Sequence, residues 1–186
     1  MAALVLLGLP APTHAKWRTV TVPGPSGDVA LGSGGAALVL AGTPSSVSAV
    51  FRGADGRFGR RERLAQRTAP TAVPYSGRPV GALLSDGSAI AAWIDERTLR
   101  MPTDHAGEEG CCSHLQIAYR RRGSARFGPP QTYAVPGGVV NDIRQIVTGP
   151  HGRYLILYRT RYGSTALRFG AGGRLGPEQA AALGPD

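Results

Sequence analysis

Three stretches of this chain repeat one order of features, and that order limits the fold more than any other property of the sequence. The first runs AALVLA after Gly35, then VSAVFR from Val47, a Gly53–Gly56 turn and Arg57-Phe58-Gly59. The second runs SAIAAWI after Gly87, then LQIAYR from Leu115, an Arg122–Ser124 turn and Arg126-Phe127-Gly128-Pro129-Pro130. The third runs RYLILYR after Gly152, then TALRF from Thr165, a Gly170–Gly173 turn and Arg174-Leu175-Gly176-Pro177. From leading glycine to closing Phe or Leu the distance is 23 residues in the first and third stretches and 40 in the second. The 17 additional residues fall at one place, between the apolar run and the next strand. Equal spacing in two copies and one localised insertion in the third mark a repeat array, in which units bury their faces on one another.

Each unit reads as four short strands. The first strands are Asp28–Gly32, Arg78–Leu84 and Asp142–Thr148, each leading into a Gly-containing turn that supplies positive φ. The second strands, such as Ala89–Ile94 and Tyr154–Tyr158, are apolar at consecutive positions, as strands covered on both faces are. Third strands alternate more, as in Gln116–Tyr119, and the fourth, Phe127–Val135, carries the Pro and polar residues of an edge. With 27 Gly and 15 Pro the chain favours turns, and only Gln179–Leu183 has helical composition. Doubly buried inner strands and half-wet outer strands are what radially packed sheets require. The expected fold is all-β: a β-propeller-like array of about three four-stranded antiparallel blades over 28–64, 78–134 and 142–180. One N-terminal strand, Trp17–Val22, precedes them as the last strand of an earlier blade.

The Asp-Gly turn, the apolar run ending in Trp or Tyr, the Arg-containing strand and Arg-Phe-Gly-Pro-Pro resemble the degenerate repeats of secreted bacterial β-propellers. Such chains are grouped with sialidase-like or BNR-repeat proteins. The resemblance covers about Trp17 to Pro177 and concerns architecture. The Asp-box spacing Ser-x-Asp-x-Gly-x-Thr-Trp is absent, because Ser85-Asp86-Gly87 is compressed and Trp93 lies further on. Propellers close with four to eight blades. Three units and a strand leave three arrangements open, a ring completed by a second copy, a piece of a longer array or an open array, and self-association is the expectation.

Residues 1–15, MAALVLLGLPAPTHA, read as a secretory signal: an apolar core at Ala2–Leu9, Pro10 and Pro12, then Thr13-His14-Ala15 as a small-x-small cleavage site. A mature domain of 16–186 and a secreted or cell-surface location follow. The alternative is a strand, since Ala2–Gly8 matches Ala36–Gly42 at six of seven positions. No other apolar stretch is long enough to span a membrane. The formal net charge is +9, but 20 of the 21 basic residues are Arg, scattered apart from Arg60–Arg63 (broken by Glu62) and Arg120–Arg122. That bias is what a GC-rich genome produces, and no helix-turn-helix or Arg-aromatic stripe accompanies it, so no specific nucleic-acid partner is expected.

The insertion, Asp95–His114, is what the repeat does not explain. It gathers carboxylates, two His and both Cys, and loops on rigid scaffolds are where binding concentrates. The candidate ligand-binding residues are Asp95, Arg97, Arg100, Asp104, His105 and Glu108. The spacing of Cys111, Cys112 and the His fits no zinc pattern, so no metal is expected. Adjacent Cys sit closer than an ordinary disulfide prefers, which leaves a strained bridge, intermolecular bridges or free thiols open. Trp93, Tyr119 and Tyr158 read as core. Phosphate-loop, Rossmann, Ser-elbow and HExxH patterns are absent and no cofactor is expected. The reading is a secreted non-catalytic binding or scaffold module taking a glycan or protein ligand. The alternative is a sialidase-like glycan hydrolase that needs a partner chain or further blades.

Overall fold

A computed structural model of the chain describes residues 26–66, 78–98, 111–135, 140–160 and 165–180. Trp17–Val22 and the leader lie outside them. The strands are β1 (Ser26–Leu31), β2 (Ala37–Thr43), β3 (Ser46–Arg52), β4 (Glu62–Gln66), β5 (Val80–Leu83) and β6 (Ala89–Thr98). They continue as β7 (Cys111–Arg120), β8 (Gln131–Ala134), β9 (Val140–Thr148), β10 (Arg153–Thr160), β11 (Thr165–Ala171) and β12 (Arg174–Ala180). They form three open four-stranded antiparallel meanders, β1–β4, β5–β8 and β9–β12, one for each repeat. The fold is all-β, and the repeat boundaries set the sheet boundaries.

The leading glycines explain where each hairpin turns. Gly35, Gly87 and Gly152 adopt φ of 78°, 84° and 68°, a region that costs any side chain. At Gly152 a Cβ would also run into the Asp86 carboxylate of the neighbouring sheet's turn. Gly152→Ala is therefore expected to cost about 2 kcal/mol or more, read as a lower midpoint in urea.

The three sheets stack face to face in a row. β5 lies against β1 and β2 on one side and β9 on the other. The inner strand β6 of the middle sheet consequently has no wet face: every residue from Ala89 to Asp95 is buried. Alternate side chains of β6 enter two separate cores. Ala89, Ala91 and Trp93 join Leu38, Leu40, Val47 and Ala49 of the first sheet. Ile90, Ala92 and Ile94 join Ile146, Tyr154, Ile156 and Tyr158 of the third. Counted from the leading glycines, Leu38, Ile90 and Leu155 are equivalent, as are Ala37, Ala89 and Tyr154. Each sheet thus turns the same face towards its successor.

Recurring polar contacts fix this stacking. The Phe127 N–H donates to both Glu62 carboxylate oxygens at 3.1 Å, and the equivalent Leu175 N–H donates to Tyr133 Oη at 3.1 Å. Nearer the first strands, the Gly81 N–H donates to Asp28 Oδ2 at 2.9 Å.

Several expectations change. β7 does not alternate, since Leu115–Ala118 are all buried between two sheets; Gln116 meets this by donating to Thr132 Oγ1 at 2.9 Å. Nor is β10 buried on both faces. Tyr154, Ile156 and Tyr158 are covered while Leu155 and Leu157 are half-buried, because the second sheet packs on one face of the third only. The helical tail is not a helix at its start, where Gln179 and Ala180 pair with Leu167 and Ala166 as part of β12.

Candidate functional site

The closing Arg-Phe-Gly motif folds the same way in the first two sheets. The Gly59 N–H donates to the Phe51 carbonyl at 2.8 Å and the Gly128 N–H to the Tyr119 carbonyl at 2.9 Å. Each motif is thereby folded back along the end of its third strand, which terminates in Arg52 or Arg120. Stacking of the two sheets then brings the first sheet's Arg57–Arg63 segment beside Arg120 and Arg126 of the second. Between them lies a cleft of about 750 Å³. Arg57, Arg60, Arg61, Arg63, Arg120 and Arg126 line it, with Asp55 and Glu62 as its acids and Phe51, Phe58 and Phe127 as its aromatic surface.

The arginines are unequally engaged. Arg120 is 8% exposed, and its guanidinium carbon lies 3.7 Å from the centroid of the Phe51 ring, a desolvated cation–π contact. Its Nε is buried without a hydrogen-bond partner. Burial lowers the Arg120 pKa and the Glu62 charge opposes that effect; a guanidinium stays cationic in either case. Arg61 Nη2 donates to Ser48 Oγ at 3.0 Å, and Arg63 donates to Gln66. Among the described residues the side chains of Arg57, Arg60 and Arg126 form no hydrogen bond or ion pair.

Both acids are committed to main-chain amides. Glu62 takes the Phe127 N–H, and Asp55 Oδ1 takes the Arg57 N–H at 3.1 Å. The cleft therefore offers six cations against two carboxylates that already hold donors. Its chemistry is that of an anion receptor, with charge focused between low-dielectric walls.

Of the residues singled out in the insertion, two are placed, both in β6. Asp95 is in β6 opposite His114, and Arg97 is opposite Cys112, so both ends of the insertion extend the β6–β7 ladder as far as Thr98 and Cys111. Asp95 is buried, 8% exposed. Arg100, Asp104, His105 and Glu108 lie outside the described residues. Trp93 Nε1, Ser113 Oγ and His114 Nδ1 are buried without hydrogen-bond partners at that end of the ladder. No group of three or more His, Cys, Asp or Glu side chains is placed to hold a metal among the described residues.

The arginine cleft escapes sequence reading because its two clusters are 57 or more residues apart in the chain and look like composition. The usable signal is repeat position. Both clusters lie at or just after the end of the third strand in adjacent units, and adjacent units stack.

No protein-family model matches the sequence, and no curated protein matches it either.

Proposed function

We propose that this chain is a non-catalytic binding and scaffold module of the β-propeller type, exported from the cell, whose sheets stack onward against a second copy. The observation that carries this reading is the common orientation of the three sheets, seen where β6 sends alternate residues into two cores. An array built that way has two unlike ends. At one, Val29 and Leu31 (80% exposed) lie on the first sheet's face away from the second; at the other, Val147 and Phe169 (55% exposed) flank Leu155 on the third. The outward face of the third sheet is the repeat equivalent of faces that are covered within the chain. A second copy presenting its first sheet would repeat the internal contact, as heterologous head-to-tail association does.

The leader-like residues 1–15 support export. Non-catalytic binding is supported by the cleft, where both carboxylates are held by main-chain amides and neither is paired with a nucleophile.

Sedimentation of the full chain should give at least twice the mass of a 19.3 kDa protomer. Phe169→Asp should bring it to one protomer with its β circular dichroism intact, since a charge at the centre of an apolar interface opposes association. Wild-type protein that sediments as one protomer at high micromolar concentration would remove the second copy from this reading.

A further inference from the structure

We infer that the cleft between the first two sheets binds a small ligand carrying two or more oxyanion groups, an inference that rests on reading the chain as a binding module. Three observations converge on it. Six arginines line one cleft, and the two acids among its described lining residues, Asp55 and Glu62, already accept main-chain N–H groups. Three of those arginines, Arg57, Arg60 and Arg126, have no protein partner among the described residues. The Arg120 guanidinium carbon lies over the Phe51 ring and the residue is more than nine-tenths buried, with its Nε donor unused. Arg120 also lines the cleft, so its guanidinium charge adds to the field that a bound anion would meet.

The class of ligand follows from the type of cation and the space. Arginine forks match the two oxygens of a carboxylate or phosphate and form charge-assisted bidentate bonds that a lysine cannot. A volume of about 750 Å³ exceeds what one inorganic ion fills and lies within the range of small-molecule sites. Several arginines spread round such a space are satisfied by oxyanion groups on one molecule, not by a lone ion. Carboxylate and phosphate share this chemistry, so the probes must separate them.

The experiment is calorimetric titration of the full chain with citrate, pyrophosphate and orthophosphate at one fixed ionic strength. Citrate or pyrophosphate should bind saturably and about tenfold or more tighter than orthophosphate. Citrate alone binding identifies a polycarboxylate site, pyrophosphate alone a polyphosphate site, and both together a general polyoxyanion site. The exposed pair Arg60→Ser and Arg126→Ser should weaken that binding about tenfold or more without altering the melting curve. Arg153→Ser, on the third sheet's exposed surface, should leave it unchanged. Arg120→Met tests the buried fork, but the inference does not depend on its folding. Failure of both polyanions to bind overturns the site, as does orthophosphate binding equally well, or an Arg153 effect as large as the Arg60/Arg126 effect. Each of those failures leaves sedimentation and head-to-tail stacking untouched, so the two readings fail separately.

Discussion

Ile90→Asp should leave a chain that does not fold, while Leu155→Asp, at the equivalent repeat position, should fold. Ile90 is fully buried in the second strand of the middle sheet, opposite Ala82 in β5 and Tyr119 in β7. Around it lie apolar residues of the second and third sheets. A carboxylate there has no cation opposite it in the ladder and no route to water. Burying an unpaired charge costs several kcal/mol, and the lost isoleucine contact adds about 2–3 kcal/mol more. That sum is comparable to the whole stability of a domain of this size. Leu155 stands three residues after its leading glycine, as Ile90 does, yet it is half-buried on a face that no described sheet covers. Within one protomer its replacement should cost about 1 kcal/mol. Near-ultraviolet circular dichroism and urea titration of the two variants check this. Equal melting of Ile90→Asp and wild type would mean that the sheets do not stack as described.

That pair of leucine-like positions also marks how far the sequence could be read. The repeat frame, the four strands of each unit and their turns are legible because they rest on local signals: glycine with positive φ and runs of β-formers at fixed spacing. Whether a strand is covered on one face or two is not local. AIAAWI of β6 and YLILY of β10 have the same apolar pattern, and only the position of each sheet in the row separates them. The same reason accounts for Gln116, a polar residue that suggested an alternating strand but is buried with Thr132 as its partner. At the insertion, polar residues read as loop. The β6–β7 ladder nevertheless continues through Asp95–Thr98 and Cys111–His114, because main-chain pairing does not depend on what the side chains are. The cleft was hidden for the opposite reason. Arg60–Arg63 and Arg120 are conspicuous as residues, and their chemistry exists only once two sheets bring them together.

The third sheet carries a second buried arginine whose loss should be nearly as damaging. Arg168 is 8% exposed in β11 and ties four strands together. Its Nε donates to Tyr158 Oη of β10 at 3.2 Å, and Nη1 to the Gly176 carbonyl of β12 at 3.1 Å. Nη2 donates to the Ala134 carbonyl of β8 at 2.8 Å, across the boundary between the second and third sheets. The same nitrogen lies 3.6 Å from Glu178 Oε2, which also accepts the Tyr158 hydroxyl proton. Burial and the Glu178 contact push the Tyr158 phenol up, well beyond physiological pH, so it serves as a neutral relay between arginine and glutamate. Arg168→Met fills much of the same volume but strands the Glu178 carboxylate and two carbonyls. Breaking a buried pair by removing one partner costs about 3–5 kcal/mol, and that is the expected loss in urea. Arg168→Lys should recover only a small part, since a single ammonium cannot serve Tyr158, Gly176 and Ala134 at once. Glu178→Gln in the Arg168→Met chain should restore about 1–2 kcal/mol, because the uncompensated charge is gone while its hydrogen-bonding shape remains. Strictly additive losses in that double-mutant cycle would show that Arg168 and Glu178 act independently.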